Sequence, residues 1–286
     1  MLKNAKTSPI LLTGMHRSGT SMVSKILKQS GMELGRNIDS NNESVFFQRI
    51  NIWMMSLISS SWDSPKSFSN INPNILDDIQ LQLHNLLNSR SNSLYFGWKS
   101  AIIKKTFMDM KFPWGWKDPR NTFTAEVWKN IFPDMKIIYL IRHPIDIADS
   151  LFRRQEKEIQ SDLQNKKKYS NVAKALLKIN HTNYNSSMII NSHEDCFKLI
   201  DSYYNQIVSN KIENSIIIRF EDILSNPEEE IKKIIEFCNM HIDEEILKKI
   251  INKVRKSRSL AYKNNDELLI FESKFSELIE KMGYDK

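Results

Sequence analysis

The chain has 286 residues, room for one large α/β domain, and its 41% hydrophobic and 10% aromatic content supplies a core. A formal charge of +7 and an isoelectric point near 9.2 suit an anionic ligand and equally a lysine-rich surface. Two cysteines, Cys196 and Cys238, exclude a disulfide framework, six scattered histidines argue against a structural zinc site, and no apolar run reaches the ~18 residues of a membrane span.

The opening "MLKNAKTSP" has no apolar core of a signal peptide, so a soluble protein of a reducing compartment, the cytoplasm, is expected. The first element is a strand over Pro9 to Thr13. It runs into Gly14 and, after a tight turn, Gly19, then into an amphipathic helix with Met22, Val23, Ile26 and Leu27 on one face. Strand, turn and helix in that order aim backbone N–H groups and a helix N-terminus at an anion. The nucleotide-hydrolase loop has the pattern G-x-x-x-x-G-K-[ST]. Here Gly14 and Gly19 keep the spacing and Ser21 keeps the hydroxyl, but Thr20 replaces the lysine.

Further strands are predicted at Leu94 to Trp98, Trp114 to Lys117, Met135 to Ile141 and Ser215 to Arg219. The last two are short β-branched runs of the kind buried on both faces of a parallel sheet. Helical patterns separate the strands, which predicts a three-layer α/β domain with a mostly parallel central sheet flanked by helices. The polar stretch from about 155 to 193, without Gly or Pro, reads as a helical excursion or lid within that single domain. From Pro227 onward two or three amphipathic helices are expected.

Three stretches carry candidate chemistry. Arg17 lies inside the loop "GMHRSGTS", where a guanidinium suits a doubly bonded oxyanion better than a triphosphate with Mg²⁺. In "IRHPIDIADS", Arg142 leaves the carboxyl end of a buried strand, Pro144 opens a helix, and Ser150 follows two turns in. Together Arg142 and Ser150 could grip a second anion. In "PWGWKDPRNTFTAEVW", Lys117 ends an aromatic strand before Pro119 and should face the same crevice as Arg17.

With "IRFEDILSNPEEEIKKIIEF", these stretches resemble the sulfotransferase family, in order from about residue 9 to 240. The resemblance implies a P-loop-type domain that uses 3′-phosphoadenosine 5′-phosphosulfate (PAPS) as donor and yields the bisphosphate PAP, without a metal. It implies that Gly14, His16, Arg17, Ser18, Gly19, Thr20 and Ser21 hold the 5′-phosphosulfate, and that Arg142 and Ser150 hold the 3′-phosphate. "WKDPR" is similar to an element of tyrosylprotein and bacterial sulfotransferases, which implies a catalytic Lys117 beside Arg17.

A carboxylate after the loop helix would take the acceptor's proton: Asp39 first, then Glu43, with Glu33 the other acid in that stretch. The expected acceptor is a carbohydrate or glycolipid hydroxyl, ahead of a peptide tyrosine or small alcohol; no nucleic-acid partner is expected. The pattern departs from the family at Met22, where an aromatic often stacks on adenine, and at 255–263, "RKSRSLAYK", which lacks a glycine. The competing readings are a nucleoside or sugar kinase and an inactive nucleotide-binding module.

Overall fold

The computed structural model describes residues 7–89, 91–97, 106–164, 187, 189–210, 212–254 and 258–284. In chain order the elements are β1 (Ile10–Thr13), α1 (Thr20–Gln29), α2 (Val45–Leu57), α3 (Pro73–Asn88), α4 (Asn92–Phe96), β2 (Gly115–Lys117) and α5 (Asn121–Ile131). There follow β3 (Lys136–Ile141), α6 (Pro144–Gln164), α7 (His193–Ser209), β4 (Ser215–Arg219), α8 (Phe220–Ser225), α9 (Pro227–Phe237), α10 (Glu244–Ile251), α11 (Asp266–Lys274) and α12 (Ser276–Lys281).

The four strands form one parallel sheet in the order β2-β1-β3-β4, with Leu11 opposite Trp116 and Ile137 on either side. Alternation along the strands divides the core. Leu11, Trp116, Ile137 and Tyr139 face a layer that includes α2, α3 and α5. Ile10, Leu12, Ile138 and Leu140 face α1 and α8 to α10. This is the three-layer arrangement expected from the sequence, and it buries β1 and β3 on both faces. A third cluster joins α6 and α7 to the last helices of the chain.

From β1 the chain passes to β2 on one side and then crosses to β3 on the other. The carboxyl ends of β1 and β3 therefore flank the switch point, where open α/β sheets form their crevice.

Three expectations change. The strand predicted over Leu94 to Trp98 is the helix Asn92–Phe96 in its described part; Trp98 lies outside the described residues. Tyr95 and Phe96 join an aromatic cluster with Phe107 and Trp114, so the run is apolar because of packing and not because of a sheet. The strand β4 is not buried on both faces: it pairs with β3 on one side, lies at the sheet's edge, and leaves Ile217 49% exposed. From Pro227 onward there are four described α-helices and a 3-10 turn at Ala261–Asn264, not two or three helices. Of the stretch 155 to 193, the start continues α6 and the end opens α7, while 165–186 and 188 lie outside the described residues. No described helix is long and apolar enough to cross a membrane.

Candidate anion-binding and transfer site

The loop between β1 and α1 is shaped by backbone conformations few side chains tolerate. Gly19 has φ +98°, and a Cβ there would lie 2.3 Å from the Phe220 ring. Gly14 has φ +144°, and a Cβ would meet the Leu140 carbonyl oxygen at 2.2 Å. Arg17 takes the left-handed region with φ 71°, which turns its side chain out of the loop into the cleft. Its Nε donates to Ser150 Oγ at 2.9 Å. Ser18 is fully buried and its Oγ has no hydrogen-bond partner. Thr20 is buried in the first turn of α1, and Ser21 Oγ donates to the Asn41 carbonyl at 2.9 Å.

Arg142 leaves β3 as expected and is packed between two elements. Its guanidinium lies 4.9 Å from the Phe220 ring centroid and donates to Asp146 Oδ2 at 3.1 Å. It also donates to the carbonyls of Arg17 at 3.3 Å and Arg258 at 3.1 Å, while its Nε is buried without a partner. Arg142 and Ser150 thus converge on Arg17 from two sides.

Lys117 ends β2 with only 3% exposure. Its Nζ donates to Glu43 Oε1 at 2.8 Å and to the Asn41 carbonyl at 3.1 Å. Below it, the Asp118 carboxylate accepts from the Arg120 N–H and guanidinium and from Asn51. Burial pushes the Asp118 carboxyl above its usual range, against the opposing pull of Arg120. Burial works against the charge of Arg120, yet Asp118 and Glu43 raise it above its ordinary value.

The three carboxylates after the loop helix separate clearly. Glu33 accepts from the Gly35 N–H, and Asp39 Oδ1 accepts from the N–H groups of Asn41 and Glu43, both local turn contacts. Glu43, 4% exposed, faces Lys117 and lies 3.8 Å from Arg120. Asp39, favoured over Glu43 from the sequence, faces its own loop through these contacts.

His16 packs edge-on to Trp62 with ring centroids 4.7 Å apart, and its Nε2 is sealed without a partner. Desolvation, reinforced by Arg120, Arg154, Lys117 and Arg17, holds it well below the usual imidazole range and so neutral. Shielding and the cations Arg154, Arg142 and Arg258 lower Arg17 likewise.

Of these groups, His16, Arg17, Thr20, Ser21, Glu43, Lys117 and Arg142 line one cleft of about 980 Å³ at the switch point. Its described walls carry Arg17, Lys25, Lys28, Lys117, Arg142, Arg154, Lys253 and Arg258 against one carboxylate, Glu43. Two of these cations have carboxylate partners outside the wall, Arg142 with Asp146 and Arg154 with Glu158. So dense a positive wall repels itself unless an anion enters. Asn51, Asp146 and Arg258 were not singled out in the sequence. A polar Asn51 inside the run "FFQRINIWMM" and the i,i+4 spacing of Arg142 and Asp146 were local signals; Arg258 reaches Arg142 through its backbone carbonyl, which no spacing reveals.

A glycine-spaced loop after β1, cations at the exits of β2 and β3, and a buried Lys–Glu pair make a P-loop-type site whose charge suits an anion. A sequence profile described as the sulfotransferase family matches residues 9–244, and the chain belongs to that family. No curated protein matches the chain. Among solved structures it is similar to the sulfotransferase domain from the curacin biosynthetic pathway, at 14% identity and TM-score 0.46, covering 96% of this chain and 99% of that one. It is also similar to sulfotransferase STF9 from Mycobacterium avium, at 12% identity and TM-score 0.45, covering 98% and 78%. Mouse sulfotransferase SULT7A1 complexed with PAP matches at 13% identity and TM-score 0.40, covering 92% and 69%.

Proposed function

We propose that the cleft binds PAPS and passes its sulfonate to an acceptor hydroxyl, with a carbohydrate or glycolipid as the acceptor class. Family membership supports sulfonate transfer in general, and the observation that carries the rest is the buried Lys117–Glu43 pair beside a cation-lined loop that lacks the nucleotide-hydrolase lysine. The residues fit the donor. The buried, unpartnered Ser18 Oγ and Arg142 Nε are hydrogen-bond groups that an anion would satisfy. Arg142 and Ser150, with Arg258 beside Arg142, would hold the 3′-phosphate, and the loop from Gly14 to Ser21 the 5′-phosphosulfate. Leu224, Ile250 and Val254 give the apolar wall suited to adenine, in place of an aromatic at Met22.

The donor supplies an activated sulfonate on a phosphate leaving group. The chain's own part is positioning and charge. Arg17 neutralises the sulfonate, and Lys117 the charge that grows on the leaving oxygen. Glu43 takes the acceptor's hydroxyl proton, in preference to Asp39, whose oxygen is held by two backbone N–H groups. A labelled-PAPS screen against sugars, glycolipids, tyrosine peptides and simple alcohols, beside ATP with Mg²⁺, tests this reading. Labelled sugar product is expected; phosphoryl transfer from ATP instead would overturn it.

A further inference from the structure

The helix α2 starts two residues after Glu43 and touches Glu43 on one side and both sequence neighbours of Lys117 on the other. Gln48, one turn into it, donates from Nε2 to Glu43 Oε2 at 3.0 Å, while Lys117 holds Oε1 at 2.8 Å. The two oxygens are thus fixed by different elements. A carboxylate has about four lone-pair sites, so one hydrogen bond at each oxygen sets its plane and still leaves room for a proton.

The next turn of the same helix is bolted to the strand end that carries Lys117. Asn51, fully buried, donates to Asp118 Oδ2 at 2.9 Å and to Asn121 Oδ1 at 2.7 Å. Its own oxygen accepts from Trp128 Nε1 at 2.8 Å and Thr124 Oγ1 at 3.0 Å. Phe47 stacks on Trp116, with centroids 3.8 Å apart and planes 6° apart. So α2 is docked on both sequence neighbours of Lys117, and Gln48 has a fixed vantage on Glu43.

We propose that Gln48 is a positioning residue for sulfonate transfer: from a helix registered by Asn51, it holds the Glu43 carboxylate opposite Lys117 with a lone pair open to the acceptor hydroxyl. This rests on the reading of Glu43 as proton acceptor. Gln48 is only half-buried, so the substitution Gln48→Met, which keeps the length and removes the donor, leaves the fold intact.

The test uses the full chain, PAPS labelled in the sulfonate, and methyl β-glucoside and water as the two acceptors. Gln48→Met should slow label release about tenfold at saturating donor, with PAP affinity within about twofold of wild type. In a Glu43→Gln background it should add no further loss. In crystals of the Gln48→Met variant with PAP, Glu43 should leave its place against Lys117. Wild-type turnover by Gln48→Met, an equal loss in the Glu43→Gln background, or an unmoved Glu43 would each overturn the proposal. If Glu43→Gln itself transfers at the wild-type rate, the base assignment falls and the proposal with it. If Glu43→Gln is slow and Gln48→Met is not, the proposal alone falls.

Discussion

Arg17 Nε donates to Ser150 Oγ across 2.9 Å, which ties the loop after β1 to the helix after β3. Arg142 closes the ring by donating to the Arg17 carbonyl. Ser150, expected to hold an anion together with Arg142, also accepts from the loop arginine, so the loop and the exit of β3 form one mechanical unit. A substitution at either side is felt by both.

Arg142→Ala should weaken PAP binding at least tenfold and AMP binding far less, because a charge-assisted hydrogen bond to phosphate contributes roughly 1.5–3 kcal/mol. Ser150→Ala should cost less, since it loosens Arg17 without removing a charge. Calorimetry with both nucleotides reads the difference. Equal losses for AMP and PAP would place Arg142 away from the 3′-phosphate.

Lys117→Ala should keep PAP binding near wild type and cut sulfonate transfer by ~10²–10³, the usual loss for one preorganised group that acts on developing charge. It also leaves Glu43 buried with Arg120 as its remaining cation, so a lower Tm is expected. Arg17→Ala should instead impair affinity and rate together. Single-turnover assays separate the two patterns, and Asp39→Asn in the same series should stay close to wild type.

Gly19→Ala forces a Cβ into a φ of +98° and against the Phe220 ring. Backbone strain of this kind costs on the order of 1–3 kcal/mol before the clash is counted. Urea unfolding should show a lower midpoint, and PAP binding should drop with it because Phe220 also backs Arg142. Gly31→Ala, where a Cβ meets nothing within 4 Å, is the control for backbone strain alone.

His143 stacks on Tyr262, and burial, with Lys263 and Arg142 nearby, lowers its imidazole from 6.5 to about 4. The native state therefore resists a proton that the unfolded chain accepts. This stability is complete above about pH 6.5 and drains away as pH falls towards 4, by on the order of 3 kcal/mol at most. The neighbouring Glu221, raised by burial, has the opposite sign and gains from acid. Urea midpoints at pH 7 and 4.5 for wild type and His143→Gln isolate the histidine: the variant should show the shallower fall.

Four strands were legible because their apolar runs are short, β-branched or aromatic, and end in glycine, lysine or arginine at the sheet's carboxyl edge. The loop was legible because glycine spacing is local. What the sequence concealed was long-range. Leu94 to Phe96 reads as a strand until Phe107 and Trp114 are seen to share its cluster. The sequence favours Asp39 over Glu43, and only the path of the chain into α2 turns the one onto backbone and the other onto Lys117. Arg258 enters through its carbonyl as well as its side-chain position, and a backbone oxygen has no sequence signature.

The Asp146 carboxylate that braces Arg142 also accepts from the N–H groups of Ala261 and Tyr262. Those two amides, more than a hundred residues downstream, therefore share an anchor with Arg142 of the proposed donor site. Their deuterium uptake depends on how often that anchor lets go. When PAP fills the cleft and pins Arg142, exchange at Ala261 and Tyr262 should slow, and Asp146→Asn should weaken that protection. Mass-resolved exchange on peptides spanning 258–264 would then record nucleotide occupancy with no acceptor and no turnover.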